Sequence, residues 1–509
     1  MQEKVFLIPI TVFILLSWSI AFTIAEQDLL RGMRVTTSSV RIRSVTIKNL
    51  KNVVSGTLAF ENIRKSHGAN VLGLYGQNGS GKTALIDAIE LLQYTLRGKE
   101  IPQRYIHYIN AGSDAITLLF AFVVQMPEKS INISYQFSLK AVVDTIDRNI
   151  DSPQLGEPKR RICVFDEILK CPIFGEGKSR MGMLIDTRGT EVFSPKPKLH
   201  LLVGRDNQIE TDLQVAKKLA SIQGRSFVFS RELLNTIRGH NEREDYDDEE
   251  RSTYLYLIKR LVSYGNYELF VFNTSNSGGS SINAQPLAFA FTKESKGIMG
   301  VCFLLLDSPA VIPQQAKSIV EREIERINVV LREIIPTLTI GIKDLGTLAL
   351  ENGEIGSRIQ LMSRRGSVEI PLNCESEGIK KIISILHLLI GVYNQSVVTV
   401  AIDSLDTGIF EYLLGELVKI ISERGKGQLI FTSHNLRPLE TLDRGNIAFT
   451  TANPNNRFVR MVGVKDSNNL RDVYYRNIMV GLQEEELYEQ TNNAEIALAC
   501  REAGEFSGP

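Results

Sequence analysis

The stretch "GQNGSGKT", residues 76–83, determines how the rest of the chain is interpreted. It fits the pattern G-x-x-x-x-G-K-[ST], follows the apolar run "ANVLGLY" and precedes "ALIDAIELLQYTL", whose apolar residues share one helical face. Glycines let backbone N–H groups curl around a phosphate, and the dipole of the following helix favours negative charge. The pattern predicts a phosphate-binding loop between a buried strand and a helix. Its nucleotide-contacting residues are predicted to be Gly76, Gln77, Asn78, Gly79, Ser80, Gly81, Lys82 and Thr83.

Two side chains of this loop have distinct predicted roles. Lys82 is expected to reach the outer phosphates, and Thr83 is expected to ligate magnesium. A second magnesium ligand has to come from a neighbouring strand, and Asp403 ends the apolar run "VVTVAI" as such a ligand should. A strand-terminal aspartate is often only a helix cap, but the phosphate loop in the same chain favours coordination of Mg²⁺ by Thr83 and Asp403.

A third motif, "FTSHN", follows the next predicted strand. The order strand "SVVTVAI", helix, strand "GQLIFT" is typical of a right-handed parallel crossover, so His434 should reach the same sheet edge as Asp403. An isolated histidine is more often a packed or surface residue. At this edge, however, an imidazole can donate a hydrogen bond to a terminal phosphate.

The motifs "YGQNGSGKT", "VAIDSLDTG" and "IFTSHN", with roughly 300 residues between the first two, resemble the bipartite ATPases of the ABC and SMC-like group. Within that group the chain is most similar to the AAA-type, OLD-like ATPases of bacterial anti-phage and abortive-infection systems. The resemblance covers about residues 36–140 and 340–465. It implies an α/β P-loop NTPase of the ABC/SMC-like ATPase head type, with a mixed sheet, a large central insertion, no long coiled coil, and ATP and Mg²⁺ as cofactors.

The resemblance divides the chain into five predicted parts. They are a hydrophobic leader (1–34), an N-terminal ATPase lobe with the Walker A loop (35–143), a central insertion (144–337), a C-terminal ATPase lobe with the signature-like loop, Walker B and His switch (338–480), and a tail (481–509). The insertion contains the strand-like runs "RICVFDEIL" and "LHLLVG", a helical stretch "QQAKSIVEREIERINVVLREII", and two predicted loops, "NEREDYDDEE" and "NTSNSGGSS".

The resemblance also implies a signature loop that reaches the nucleotide of a second subunit. The candidate is "CESEGIKKIISIL", in which Ser376 and Gly378 precede a helix. The S-x-G pattern alone is equally typical of a helix N-cap. Its place just before the strand "VVTVAI" that ends at Asp403, the predicted Walker B strand, favours the signature assignment, which makes the expected working unit a homodimer or a higher oligomer.

Ser404 departs from the family pattern, in which a glutamate follows the aspartate and activates water. Serine is a very poor base at neutral pH, so the sequence predicts slow turnover and a long-lived ATP-bound state. The predicted catalytic residues are therefore Asp403, Ser404 and His434, with ATPase activity itself left open. The nearest carboxylates that could replace the glutamate are Asp406 and Glu411.

The net charge and the composition restrict the functions that remain possible. The 58 basic and 58 acidic residues cancel, so no global field favours nucleic acid, and neither the five cysteines nor the six histidines show metal-ligand spacing. There is no N-K-x-D motif of a GTPase, and a small-molecule kinase fits this length poorly. Three hypotheses stay open: a defence ATPase that controls a separate effector protein, an SMC- or RecF-like DNA-maintenance ATPase, and a nucleotide-binding scaffold with little turnover.

The N-terminal run at residues 5–25 has no charge and is long enough to span a bilayer. It is interpreted as an upstream extension of the reading frame, as an anchor that arginines after the run hold on the cytoplasmic side, or, least favoured, as an export signal. The predicted location is cytoplasmic, and membrane-anchored on that side if residues 5–25 are translated.

Overall fold

The computed structural model describes most of the chain after the first 37 residues. The described residues are 38–61, 70–126, 129–143, 160–173, 180–243, 249–273, 287–293, 298–304, 306, 308–349, 355–461, 469–480 and 484–505. The apolar run at 5–25 and nearly all of the predicted small-residue loop at 273–281 lie outside them. Among the described helices, none is both long and apolar enough to cross a membrane.

Eighteen described strands follow one another along the chain. They are β1 (Ser39–Leu50), β2 (Val53–Ala59), β3 (Asn70–Tyr75), β4 (Ala115–Gln125), β5 (Ser130–Val143), β6 (Arg160–Ile173), β7 (Arg180–Asp186), β8 (Leu269–Phe272), β9 (Leu287–Lys293), β10 (Ile298–Leu304), β11 (Ala310–Pro313), β12 (Leu338–Ala349), β13 (Ile355–Arg365), β14 (Val368–Pro371), β15 (Thr399–Ile402), β16 (Gln428–Thr432), β17 (Ile447–Thr450) and β18 (Phe458–Val459).

The α-helices of the described chain are mostly of ordinary length, and the longest has 21 residues. No long coiled coil is therefore present in this part of the chain, as the sequence predicts. The helices are α1 (Lys82–Leu96), α2 (Lys196–Val203), α3 (Asn207–Ile222), α4 (Arg231–Arg243), α5 (Glu249–Ser263), α6 (Gln314–Ile334), α7 (Glu377–Asn394), α8 (Glu411–Arg424), α9 (Pro438–Thr441), α10 (Leu470–Val480) and α11 (Asn493–Glu505).

Two six-stranded sheets organise the molecule, which confirms the α/β fold class. The first sheet, in the order β2-β1-β4-β5-β6-β7, is antiparallel throughout. The second has the order β18-β17-β3-β16-β15-β8, and its strands are parallel except for the edge strand β18. We call the second one the parallel sheet. Its strands β3, β15 and β16 are almost wholly buried apolar runs, as expected for a sheet covered on both faces.

The segment predicted as a central insertion contributes to both sheets. Strands β6 and β7 extend the antiparallel sheet, and β8 pairs with β15 at the edge of the parallel sheet. Strands β6 and β7 pair with their neighbours in sequence, whereas local patterns could not indicate the pairing of β8 with β15, which joins Leu269 to Thr399. The domain boundaries themselves stay a prediction.

One predicted strand of this segment is a helix. The run "LHLLVG" forms most of α2, which follows Pro195 and has Pro197 in its first turn. Proline is favoured there, because the first N–H groups of a helix have no partner within the helix. The buried residues Leu199, Leu202 and Val203 recur at helical spacing, so the interpretation of this short apolar run as a strand was wrong.

The predicted acidic loop at 241–250 is also shorter than expected. Its ends belong to α4 and α5, and residues 244–248 lie outside the described chain. Glu249 and Glu250 occupy the first turn of α5, where the helix dipole stabilises negative side chains.

Candidate nucleotide-binding site

The predicted phosphate loop connects β3 with α1 and depends on its glycines. Gly81, directly before α1, has φ +96°, in the left-handed region that favours glycine. A Cβ atom at Gly76 would lie 1.7 Å from Thr450 Oγ1 of β17, so no other residue fits there. The loop is further held by Ser80, whose hydroxyl contacts the Gln77 carbonyl at 2.6 Å and the Thr450 hydroxyl.

Lys82 folds back across this loop. Its Nζ donates hydrogen bonds to the carbonyl oxygens of Gly76 at 2.8 Å and Gln77 at 2.9 Å. Burial lowers the pKa of Lys82 to about 8, while the charges of Asp403 and Asp406 act to raise it. A phosphate in the loop would offer this ammonium a charged acceptor, which is a stronger partner than a carbonyl.

Asp403 directly follows β15 and is buried beside Thr83. Thr83 Oγ1 lies 3.2 Å from Asp403 Oδ2 and 3.4 Å from Oδ1, and Thr432 Oγ1 donates to Oδ1 at 2.6 Å. The prediction that Asp403 follows a strand next to β3 was wrong, because β16 lies between β3 and β15. Thr432, at the end of β16, therefore connects the aspartate to the strand that separates it from the phosphate loop.

The geometry of Thr83 and Asp403 fits magnesium. Two adjacent ligands of an octahedral ion with bonds of about 2.0–2.1 Å are about 3 Å apart, close to the 3.2 Å between the two side-chain oxygens. The described residues contain no cluster of three or more His, Cys, Asp or Glu that could hold a metal unaided. The pair therefore fits an ion whose remaining ligands are phosphate oxygens and water.

Ser404 bends the chain immediately after Asp403. Its φ of +50° is left-handed, which is uncommon for a residue other than glycine, and its backbone N–H donates to Thr432 Oγ1 at 2.8 Å. The position where related ATPases are expected to carry a glutamate thus holds a half-buried hydroxyl in a constrained turn.

Asp406 joins this turn to the loop that contains His434. Its Oδ2 accepts hydrogen bonds from the backbone N–H groups of His434 and Asn435, each at 3.1 Å. Its Oδ1 is buried and has no hydrogen-bond partner in the described chain. The His434 side chain lies exposed at the rim, where partial desolvation and then the charge of Lys82 lower its pKa. The imidazole is therefore neutral at neutral pH and can donate one hydrogen bond.

The proposed signature residues begin α7. Ser376 is exposed, and its hydroxyl caps the helix by accepting from Ile379 N at 3.4 Å. Gly378 packs against the turn after Asp403 so closely that a Cβ there would lie 2.3 Å from the Gly408 carbonyl oxygen. Within the described chain, no hydrogen bond joins Ser376 to the phosphate loop of its own subunit.

Several residues near the site were not singled out from the sequence. Thr432 lies inside the quoted motif "IFTSHN", where a polar side chain beside a predicted ligand was a usable signal. Asp406 was considered from the sequence only as a possible base, and not as the acceptor that holds the His434 loop. Lys381, in the middle of the buried stripe of α7, is a lysine among isoleucines and offered a similar signal. No local pattern indicated that the backbone N–H of Glu489 in the tail donates to Gln77 Oε1 at 2.8 Å.

Comparison with known proteins connects part of the chain to one family. Residues 71–177 match the family model described as "AAA domain, putative AbiEii toxin, Type IV TA system". Among curated proteins, none matches the chain significantly.

Solved structures with weak overall similarity include two SMC head domains and RecF. The SMC head bound to the C-winged helix domain of ScpA has a TM-score of 0.38 and 11% identity, covering 82% of this chain and 98% of that one. The SMC head domain from Thermotoga maritima has a TM-score of 0.32 and 14% identity, covering 83% of this chain and 99% of that one. The ATP complex of the recombination mediator RecF has a TM-score of 0.32 and 11% identity, covering 79% of this chain and 94% of that one. At these scores the similarities have no bearing on the activity of this chain.

The family match overlaps β3, the phosphate loop and α1, and the fold brings Asp403 from the distant C-terminal lobe beside Thr83. Residues 71–177 are thus similar to the AAA domain of that family, and the site joins its phosphate-loop motif to an aspartate 320 positions further along the chain.

Proposed function

We propose that the chain binds magnesium-ATP at the phosphate loop and hydrolyses it slowly, so that the bound nucleotide controls assembly. The observation that carries this proposal is the 3.2 Å approach of Thr83 Oγ1 to Asp403 beside the buried ammonium of Lys82. In the proposal, residues 76–83 bind the phosphates, Thr83 and Asp403 hold Mg²⁺, and His434 donates to the terminal phosphate. Magnesium would neutralise phosphate charge and orient the triphosphate.

Lys82→Ala tests nucleotide binding. The substitution removes the ammonium that the loop directs toward the phosphates, and no other side chain of residues 76–83 carries positive charge. We expect binding of a fluorescent ATP analogue to fall at least a hundredfold in titrations with Mg²⁺, whereas Lys218→Ala, at an exposed position of α3, should bind normally. Unchanged binding by Lys82→Ala would contradict the proposal.

Assembly is proposed to occur through the surface around Ser376 and Gly378. Its support is that Ser376 is exposed beside the turn after Asp403, and that Phe410, at the end of that turn, is 73% exposed. A large exposed aromatic residue is typical of protein interfaces. In the proposed dimer, this surface would cover the nucleotide bound by the partner subunit.

Ser376→Arg tests the assembly proposal. An arginine would place a long charged side chain in the proposed interface without removing any group of the phosphate loop. We expect normal ATP binding by the variant but no increase in mass with ATP in light scattering, while the unaltered chain associates. If the variant associates as well as the unaltered chain, the signature assignment is wrong.

The cellular role is proposed to be control of a separate effector in phage defence. The support is the family description, which names a toxin-related AAA domain. Cells that carry the chain with its neighbouring genes should resist phage, and Lys82→Ala should abolish that resistance. Salt-sensitive retention of DNA by the purified chain, without phage resistance, would favour the DNA-maintenance alternative.

A further inference from the structure

Helix α7 brings a second buried lysine toward the nucleotide site. The Lys381 side chain is 1% exposed, and it is one of the largest fully buried side chains of the described chain. In that part of the molecule its ammonium has neither a hydrogen bond nor an ion pair. An unpaired ammonium is costly to bury, and such groups in native proteins are usually paired or serve a ligand.

The packing of α7 directs Lys381 toward the Walker B turn. Gly378 contacts Gly408 in the turn after Asp403, and Lys381 follows Gly378 by three residues, on the same face of the helix. The charges of Asp403 and Asp406 act on Lys381 as they act on Lys82. The two lysines therefore share one pair of carboxylates, although they belong to opposite ends of the sequence.

A permanent ion pair with these carboxylates does not account for the burial of the Lys381 ammonium. In the described chain no ion pair joins Lys381 to Asp403 or Asp406, and Asp403 is already bonded to Thr83 and Thr432. Magnesium at Asp403 would also neutralise that carboxylate, leaving the lysine with less negative charge nearby. A new anion at this sheet edge would then be the natural partner of the ammonium.

We propose that Lys381 is a second phosphate-binding lysine, supplied by α7 of the same subunit, that contacts the terminal phosphate of bound magnesium-ATP. This inference rests on the proposed function and adds a specificity: the site should distinguish triphosphate from diphosphate through Lys381. The residue belongs to the same helix as Ser376, so a single rigid element would sense the terminal phosphate and present the proposed assembly surface.

The test compares two substitutions of Lys381 with a matched control. Lys381→Met keeps the aliphatic stem and removes an unpaired buried charge, so it should fold, and Lys381→Gln serves as a second, polar variant. The control is Lys380→Met, because the adjacent Lys380 is also buried but forms an ion pair with Glu377 at 2.6 Å. Calorimetric titration of each full-length chain with magnesium-ATPγS and with magnesium-ADP gives the ratio of the two affinities.

A charged hydrogen bond to phosphate corresponds to roughly a 10- to 100-fold change in affinity. We expect both Lys381 variants to lose about that factor for ATPγS and less than threefold for ADP, whereas Lys380→Met keeps the ratio of the unaltered chain. Equal losses for both nucleotides, or no loss, would overturn the inference. Absence of binding by the unaltered chain would instead contradict the proposed function, so the two failures are distinct.

Discussion

At the scale of single residues, Ser404 determines how long the proposed ATP-bound state lasts. A positioned general base contributes roughly a hundredfold to ten-thousandfold in rate, and a serine hydroxyl cannot supply it at neutral pH. The left-handed backbone of Ser404 is a strain that any other non-glycine residue would also bear. We expect Ser404→Glu to raise steady-state phosphate release at least tenfold under saturating magnesium-ATP. The control is Ser404→Gln, whose side chain has the size of glutamate without its charge, and its rate of phosphate release should stay close to that of the unaltered chain.

The alternative base near Ser404 is Asp406, and the structure gives it a different role. One oxygen of Asp406 accepts two backbone hydrogen bonds from the His434 loop, which positions that loop. Asp406→Asn keeps an acceptor for these N–H groups but removes the charge. Fast hydrolysis by the unaltered chain that is lost in Asp406→Asn would show that Asp406 is the base, contrary to the expectation for Ser404.

At the scale of elements, the tail segment 484–490 packs into the core around the parallel sheet and contacts the phosphate loop. Leu487 is 3% exposed in the core around the parallel sheet, and two residues later Glu489 N donates to Gln77 Oε1 in the phosphate loop. Glu485 accepts from the side-chain amides of Asn453 and Asn456. The burial of Leu487 thus fixes a backbone contact to the phosphate loop.

Leu487→Ala should therefore affect both stability and binding. Removal of a buried leucine side chain typically costs about 2–5 kcal/mol of unfolding free energy, which urea unfolding followed by circular dichroism would measure. Loss of the contact to Gln77 should also weaken ATP binding severalfold. The matched variant is Leu498→Ala in α11, where the leucine is 53% exposed, and it should change stability by less than about 0.5 kcal/mol. Similar effects of the two variants would show that the tail does not support the loop.

How much of the structure could be predicted from the sequence depends on how far apart along the chain the contacting residues lie. The phosphate loop, the helix cap at Ser376 and the crossover from β15 to β16 depend on residues close together in sequence, so their patterns are readable. The position of β16 between β3 and β15, the pairing of β8 with β15, and the contact of Glu489 with Gln77 join distant segments. Short apolar runs such as "LHLLVG" are ambiguous for another reason, because four apolar residues fit a strand and a buried helix equally well.

At the scale of the whole molecule, one buried glutamine joins the two sheets. Gln428, the first residue of β16, donates through Nε2 to the Ile42 carbonyl at 2.7 Å and accepts at Oε1 from Ile42 N at 3.0 Å. Ile42 belongs to β1 of the antiparallel sheet, and both residues are fully buried. The side chain thereby satisfies two backbone groups in the interior, at a contact between residues 386 positions apart in sequence.

Gln428→Ala should uncouple the sheets at this point. It would leave the N–H and C=O groups of Ile42 buried without their partner, and each unsatisfied group costs about 1–3 kcal/mol, so we expect a loss of about 2–5 kcal/mol in unfolding free energy. Hydrogen exchange should accelerate at the Ile42 amide and in β16, which carries Thr432 to Asp403. Gln214→Ala, at an exposed position of α3, should leave both measurements unchanged. If Gln428→Ala destabilises the protein without faster exchange in β16, the glutamine stabilises β1 alone, and the two sheets are held together by their apolar packing.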